Sequence, residues 1–121
     1  MTAKQWKTKI KTACRKAGTY RDFFNSVIDT LADILEKRDK AQELFVASGG
    51  NVVISHTNKA GATNLEQNPM LRLINEYNRD ALAYWRDLGL TPAGYRKLNA
   101  EVVEDKEGGS LEALLEKIVS Q

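Results

Sequence analysis

The chain has 121 residues, a net charge of +2, 42% hydrophobic residues and a single cysteine. That length fits one domain with a modest core, and one cysteine excludes an intrachain disulfide scaffold. The apolar runs are only a few residues long, so neither a membrane span nor a signal-peptide core is expected.

Charge is distributed more tellingly than its sum. Residues 1–21 carry seven Lys/Arg and no Asp/Glu, whereas residues 100–121 carry Glu101, Glu104, Asp105, Glu107, Glu112 and Glu116 against Lys106 and Lys117. A basic head attracts a polyanion; an acidic tail is repelled by one and suits a protein partner.

From Lys4 to Gly18, Trp6, Ile10, Ala13, Cys14 and Ala17 recur on one sector at helical spacing, with Lys4, Lys7, Lys11 and Arg15 on another. This predicts an amphipathic first helix with a basic stripe, ended by Gly18. Thr19 followed three residues later by Asp22 reads as a capping-box variant opening a second helix. The second helix, Tyr20 to about Ala47, repeats apolar residues at Phe24, Val27/Ile28, Leu31, Ile34/Leu35 and Leu44/Phe45 without Gly or Pro. At 1.5 Å per residue it spans roughly 40 Å, more than one short neighbour covers. Self-association is therefore expected through Phe24, Ile28, Leu31 and Leu35, joined by Tyr77, Tyr84 and Trp85 from the third helix.

Ser48-Gly49-Gly50 stops the second helix, and Asn51–Ser55, "NVVIS", is a β-branched run fit for an extended arm or one strand of a hairpin. Lys59–Ala62 reads as a turn or loop. The connector lets the chain reverse so that the second and third helices pack antiparallel, and its arm is expected to pair across a subunit boundary. Asn68-Pro69 caps a third helix to Leu88. Gly89 ends it, and Thr91-Pro92 starts a fourth helix to about Asn99. Glu104–Ser110 is a linker, and Ser110 caps a short amphipathic tail helix. The organisation expected is a basic N-terminal helix (1–18), a helical oligomerisation core (19–99) and an acidic tail (100–121).

No catalytic constellation is present. His56 is the only histidine, far in sequence from Cys14, and zinc-ligand spacing is missing. Lys59-Ala60-Gly61-Ala62 lacks the phosphate-wrapping glycine-lysine spacing. No metal, cofactor or nucleotide is expected, and the chain reads as a non-enzyme. Lys4, Lys7, Lys9, Lys11, Arg15, Lys16 and Arg21 are the candidate DNA-backbone contacts, against a plain solvated helix face. A helix-turn-helix built around Thr19, Tyr20 and Arg21 carries less weight, because the second helix is far longer than a usual recognition helix. Arg72, Arg79 and Arg86 recur every seven residues beside Glu76, Asp80 and Asp87; surface ion pairs are the ordinary explanation, a channel lining or subunit bridge the alternative.

The order of parts, a long charged helix, "SGGNVVISHTNKAGATNLEQNPML", then "NEYNRDALAYWRDLGLTPAGYRKL", resembles the small subunit of tailed-phage terminases across roughly residues 17–98. The resemblance implies a mainly α, ring-forming homo-oligomer in the host cytoplasm. Its implied role is to recognise double-stranded viral DNA and present it to a large subunit that holds the ATPase and nuclease. Leu111, Leu114, Leu115 and Ile118 of the tail are the candidate contacts to that large subunit. The competing reading is a helical interaction module or transcriptional regulator bridging two proteins, with no packaging role.

Overall fold

A computed structural model describes residues 1–100. The chain is mainly helical: α1 (Ala3–Ala17), a 3-10 turn (Asp22–Phe24), α2 (Asn25–Ala47), strands β1 (Val53–Thr57) and β2 (Thr63–Gln67), and α3 (Pro69–Asp87). A further helical segment occupies residues 92–100.

α1 opens on a capping box that the sequence reading missed. The Thr2 hydroxyl accepts from Gln5 N and the Gln5 side chain accepts from Thr2 N, satisfying two of the helix's free donors. It closes at Gly18, left-handed at φ 73°, with Thr19 N bonded back to Cys14 O at 2.9 Å. That closure corrects the expected start of α2. Thr19 is buried and its hydroxyl turns back to Cys14 O at 3.4 Å, so it serves the end of α1 rather than capping the next helix. The chain instead enters α2 through the 3-10 turn, without a side-chain cap.

α1 folds back antiparallel along the first half of α2. Ala3 N donates to Glu36 Oε2 at 2.6 Å, and Trp6 Nε1 donates to Asp39 Oδ2 at 2.8 Å. Lys7 Nζ, one turn further along, lies 3.2 Å from Asp29 Oδ1. α3 runs antiparallel to α2 on the other flank: Arg38 Nη1 reaches Asn78 Oδ1 at 3.4 Å, and Gly89, just past the end of α3, lies against Thr19 before α2 begins. Three helices thus share one core. Ile10, Cys14, Ile28, Leu31, Ala32, Leu35 and Leu88 have no exposed surface, with Trp6 and Ala81 beside them. Each fully buried Leu or Ile here contributes about 1.5–3 kcal/mol.

This core redirects the self-association expected of α2. Ile28, Leu31 and Leu35 are covered within the protomer by α1 and α3, so they hold the bundle together and leave no surface for a second copy. Phe24, Tyr84 and Trp85 are half-buried against the same core, and Tyr77 is half-buried on α3. Periodicity reported a buried stripe correctly and assigned it the wrong cover. The cover does run out, further along: α1 begins beside Glu36 and Asp39, and past that point Leu44 and Val46 stand 57% and 64% exposed.

β1 and β2 form a two-stranded antiparallel hairpin in the register Val53 to Gln67, Ser55 to Leu65 and Thr57 to Thr63. Asn58 shapes its loop, its side-chain oxygen accepting from Ala60 N and Ala62 N, both at 3.0 Å. Asn68 closes the base. Its backbone N donates to Val52 O at 2.8 Å, its side-chain amide to Asn51 O at 2.9 Å, and its side-chain oxygen accepts from Met70 N at 3.1 Å. One residue therefore caps α3 and ties the hairpin to it.

Candidate nucleic-acid interface

The basic residues of α1 follow from where the core takes its share of the helix. Trp6, Ile10 and Cys14 point inward, which leaves two flanks for charge. At about 100° per residue, Lys4, Lys7, Lys11 and Arg15 fall within one sector roughly 80° wide, while Lys9 and Lys16 lie on the opposite flank. The seven candidates therefore do not form a single surface: four make a stripe about 16 Å long beside α2, two face away from it, and Arg21 sits in the turn beyond Gly18.

Several of these charges already have partners. Lys7 pairs with Asp29. The Lys9 ammonium lies 5.1 Å from the Trp6 ring centre and the Arg15 guanidinium 5.0 Å from that of Tyr20. Arg21 Nη1 donates to Tyr20 O at 2.7 Å. Lys4 and Lys16 are exposed, and Lys11 is half-exposed. Stacking holds Arg15 and Lys9 in place without consuming their charge, so they still attract phosphate; Lys7 is the member most offset by an acid.

The fold adds basic residues that sequence spacing did not connect to α1. Ala17 lines a shared groove with Gly89, Leu90, Thr91, Pro92 and Tyr95, which brings the end of α1 beside the segment 92–100. Arg86 and Lys97 line an adjoining cleft of ≈ 390 Å³, with Asp87, Ala93, Gly94 and Leu98. Gly94 N donates to the Thr91 hydroxyl at 3.1 Å, and the glycine packs directly on Arg86 O, where a Cβ has no room. Arg15, Lys16, Arg21, Arg86 and Lys97 thus gather at one end of the bundle from segments about seventy residues apart. Only tertiary packing brings these cations together, with Asp22 and Asp87 at the same end.

The opposite end of α1 is acidic on its α2 side. Glu36 accepts from Ala3 N at the helix start, and that backbone hydrogen bond holds its carboxyl below the ordinary range. For Asp39, partial burial pushes the carboxyl up, but hydrogen bonds from Trp6 and Arg38 outweigh burial and leave it lowered. These carboxylates hold the start of α1 on α2 and separate an acidic side from the basic stripe.

His56 lies exposed on β1, its Nδ1 3.9 Å from Glu66 Oε1. Among the described residues no group of three or more His, Cys, Asp or Glu is placed to hold a metal ion, and no helix is long and apolar enough to cross a membrane. Leu111, Leu114, Leu115 and Ile118 lie outside the described residues.

No curated protein and no solved structure matches the chain. A family model described as "Phage terminase, small subunit" matches residues 2–105, which takes in α1, the hairpin and α3 together, and the chain belongs to that family.

Proposed function

We infer that this member of the phage terminase small-subunit family is a DNA-packaging subunit and not itself an enzyme. We propose that it binds double-stranded viral DNA through the α1 stripe and the basic turn end, assembles with copies of itself into a ring, and engages the terminase large subunit through its acidic tail in the host cytoplasm. The observation that carries the DNA reading is the stripe Lys4, Lys7, Lys11 and Arg15 on α1, within a first twenty-one residues of the chain that contain no acid. Each phosphate neutralised there releases counterion and steepens the salt dependence of binding. Leu111, Leu114, Leu115 and Ile118 are the tail residues proposed to meet the large subunit.

The test is a salt-dependent gel shift on duplex DNA. Reversing Lys4, Lys11 and Arg15 to Glu is expected to flatten the slope of log K against log salt by about 2–3. Unchanged affinity and slope would refute the DNA assignment. For self-association, the exposed hairpin arm is the proposed contact. Deleting Val52–Ile54 is expected to lower the solution mass measured by light scattering, and an unchanged oligomer would remove the arm from the interface.

A further inference from the structure

α3 buries Ile74 and Ala81, and its opposite side is exposed up to the last turn, where residues 93–98 pack beside Arg86 and Asp87. On that side stand two ridges of opposite sign. Arg72, Arg79 and Arg86 form one; Glu76, Asp80 and Asp87 form the other, about 80° around the helix. All six are exposed, and among the described residues none of them makes an ion pair or a side-chain hydrogen bond.

The spacing explains why the ridges do not neutralise each other within the helix. Asp80, Arg86 and Asp87 have no opposite charge three or four residues away, and the residue four beyond Glu76 is Asp80, a like charge; Glu76 and Arg79, three apart, are placed to pair but do not do so in the structure. Arg72 and Glu76 are four apart, but in the weaker order, with the cation N-terminal to the anion. Half of the six charges thus have no partner within the helix by spacing, and none of the six is paired among the described residues. Each ridge is also edged by apolar surface: Leu82, 50% exposed, lies beyond the arginines, and Leu73, 37% exposed, lies beyond the acids.

We propose that the outward face of α3 is the contact between neighbouring copies of this chain, packed head to tail, with the arginine ridge of one copy against the acidic ridge of the next. Charge complementarity selects the occupant, because the face that fits the arginines is present on the same molecule. The two ridges lie on either side of the outward line of the helix, so one neighbour meets the cations and the other meets the anions. Such a contact leaves both ends of any open chain of subunits unsatisfied until the set closes. This rests on the self-association reading above and adds the outward face of α3 to the hairpin arm as a contact between copies.

The experiment measures solution mass at low salt without DNA, with helicity checked by circular dichroism. Variant one carries Arg72→Glu, Arg79→Glu and Arg86→Glu; variant two carries Glu76→Arg, Asp80→Arg and Asp87→Arg. Each alone is expected to lose the assembled species, and an equimolar mixture to regain it with more than two copies. The milder Arg79→Gln and Asp80→Asn exchanges, which preserve side-chain volume, are expected to shift assembly to higher protein concentration with helicity intact. Wild-type mass in both charge-reversed variants would overturn the inference while leaving self-association standing, and a mixture stopping at two copies would overturn the head-to-tail arrangement. An arginine variant that keeps its mass but loses DNA binding would reassign that ridge to nucleic acid. A wild-type monomer at every concentration would instead overturn the self-association reading itself.

Discussion

The two ends of the bundle are built on different chemistry. At the turn end, Gly18 and Gly89 close two helices in left-handed conformation, Thr19 is buried between them, and the side chains left outside include Arg15, Lys16, Arg21, Arg86 and Lys97. At the hairpin end, Asn68 alone secures the connection, and the side chains left outside include Val53 and Leu65, 53% and 78% exposed. The turn end is closed by tight helix caps and rich in cations, although Phe23 is also 76% exposed there; the hairpin end is an open ribbon with apolar side chains in solvent. Tight closure and surface charge suit a rigid platform for a polyanion, whereas a two-stranded ribbon with both edges free gains stability only by gaining a neighbour.

The contrast is broken most severely from the middle. Leu31→Ala removes a core side chain shared by both halves and is expected to cost about 2–5 kcal/mol in denaturant unfolding, with both ends melting together. Gly89→Ala attacks the turn end alone. Its φ of 72° costs an alanine roughly 1–2 kcal/mol, and the new methyl would lie 2.9 Å from Thr19 Cγ2, so a clear drop in melting temperature is expected with the hairpin unaffected. Acid sharpens the comparison along α1. Glu36 and Asp39 titrate below their ordinary values, so their contribution is complete above about pH 5 and is lost as pH falls through the lowered native values. Trp6 emission in a Trp85→Phe background should report α1 loosening in that window, and Asp39→Asn should weaken the folded state by about 1 kcal/mol at neutral pH. The smallest effect on stability belongs to Leu65→Ser on the hairpin, within about 0.5 kcal/mol, accompanied by weaker self-association in sedimentation.

What the residues disclosed in advance follows the same division. Gly18, Gly89 and Asn68-Pro69 announced their helix boundaries because each meets a local stereochemical demand that few other residues meet. Strand β2 was not legible: Thr63–Gln67, "TNLEQ", is exposed throughout, so no buried face imposed alternation, and only pairing with β1 makes it a strand. The start of α2 was misplaced because Thr19 has two possible employers and the end of α1 claimed it. The stripe of α2 was read correctly as buried, but periodicity does not say by what, and α1 and α3 supply the cover for Ile28, Leu31 and Leu35. The basic candidates on α1 were visible as a run, yet their division into two flanks, the pairing of Lys7 with Asp29 and the recruitment of Arg86 and Lys97 are products of the fold.

Cys14 has no exposed surface, and burial pushes its thiol above the ordinary value. A modifying reagent can reach that sulfur only while α1 is lifted from α2, so the rate at which the thiol is alkylated becomes a clock for a single local event. DNA bound along the lysine stripe should change the ticking of that clock, which makes the lone sulfur of this chain an internal gauge of how firmly its first helix is held in place.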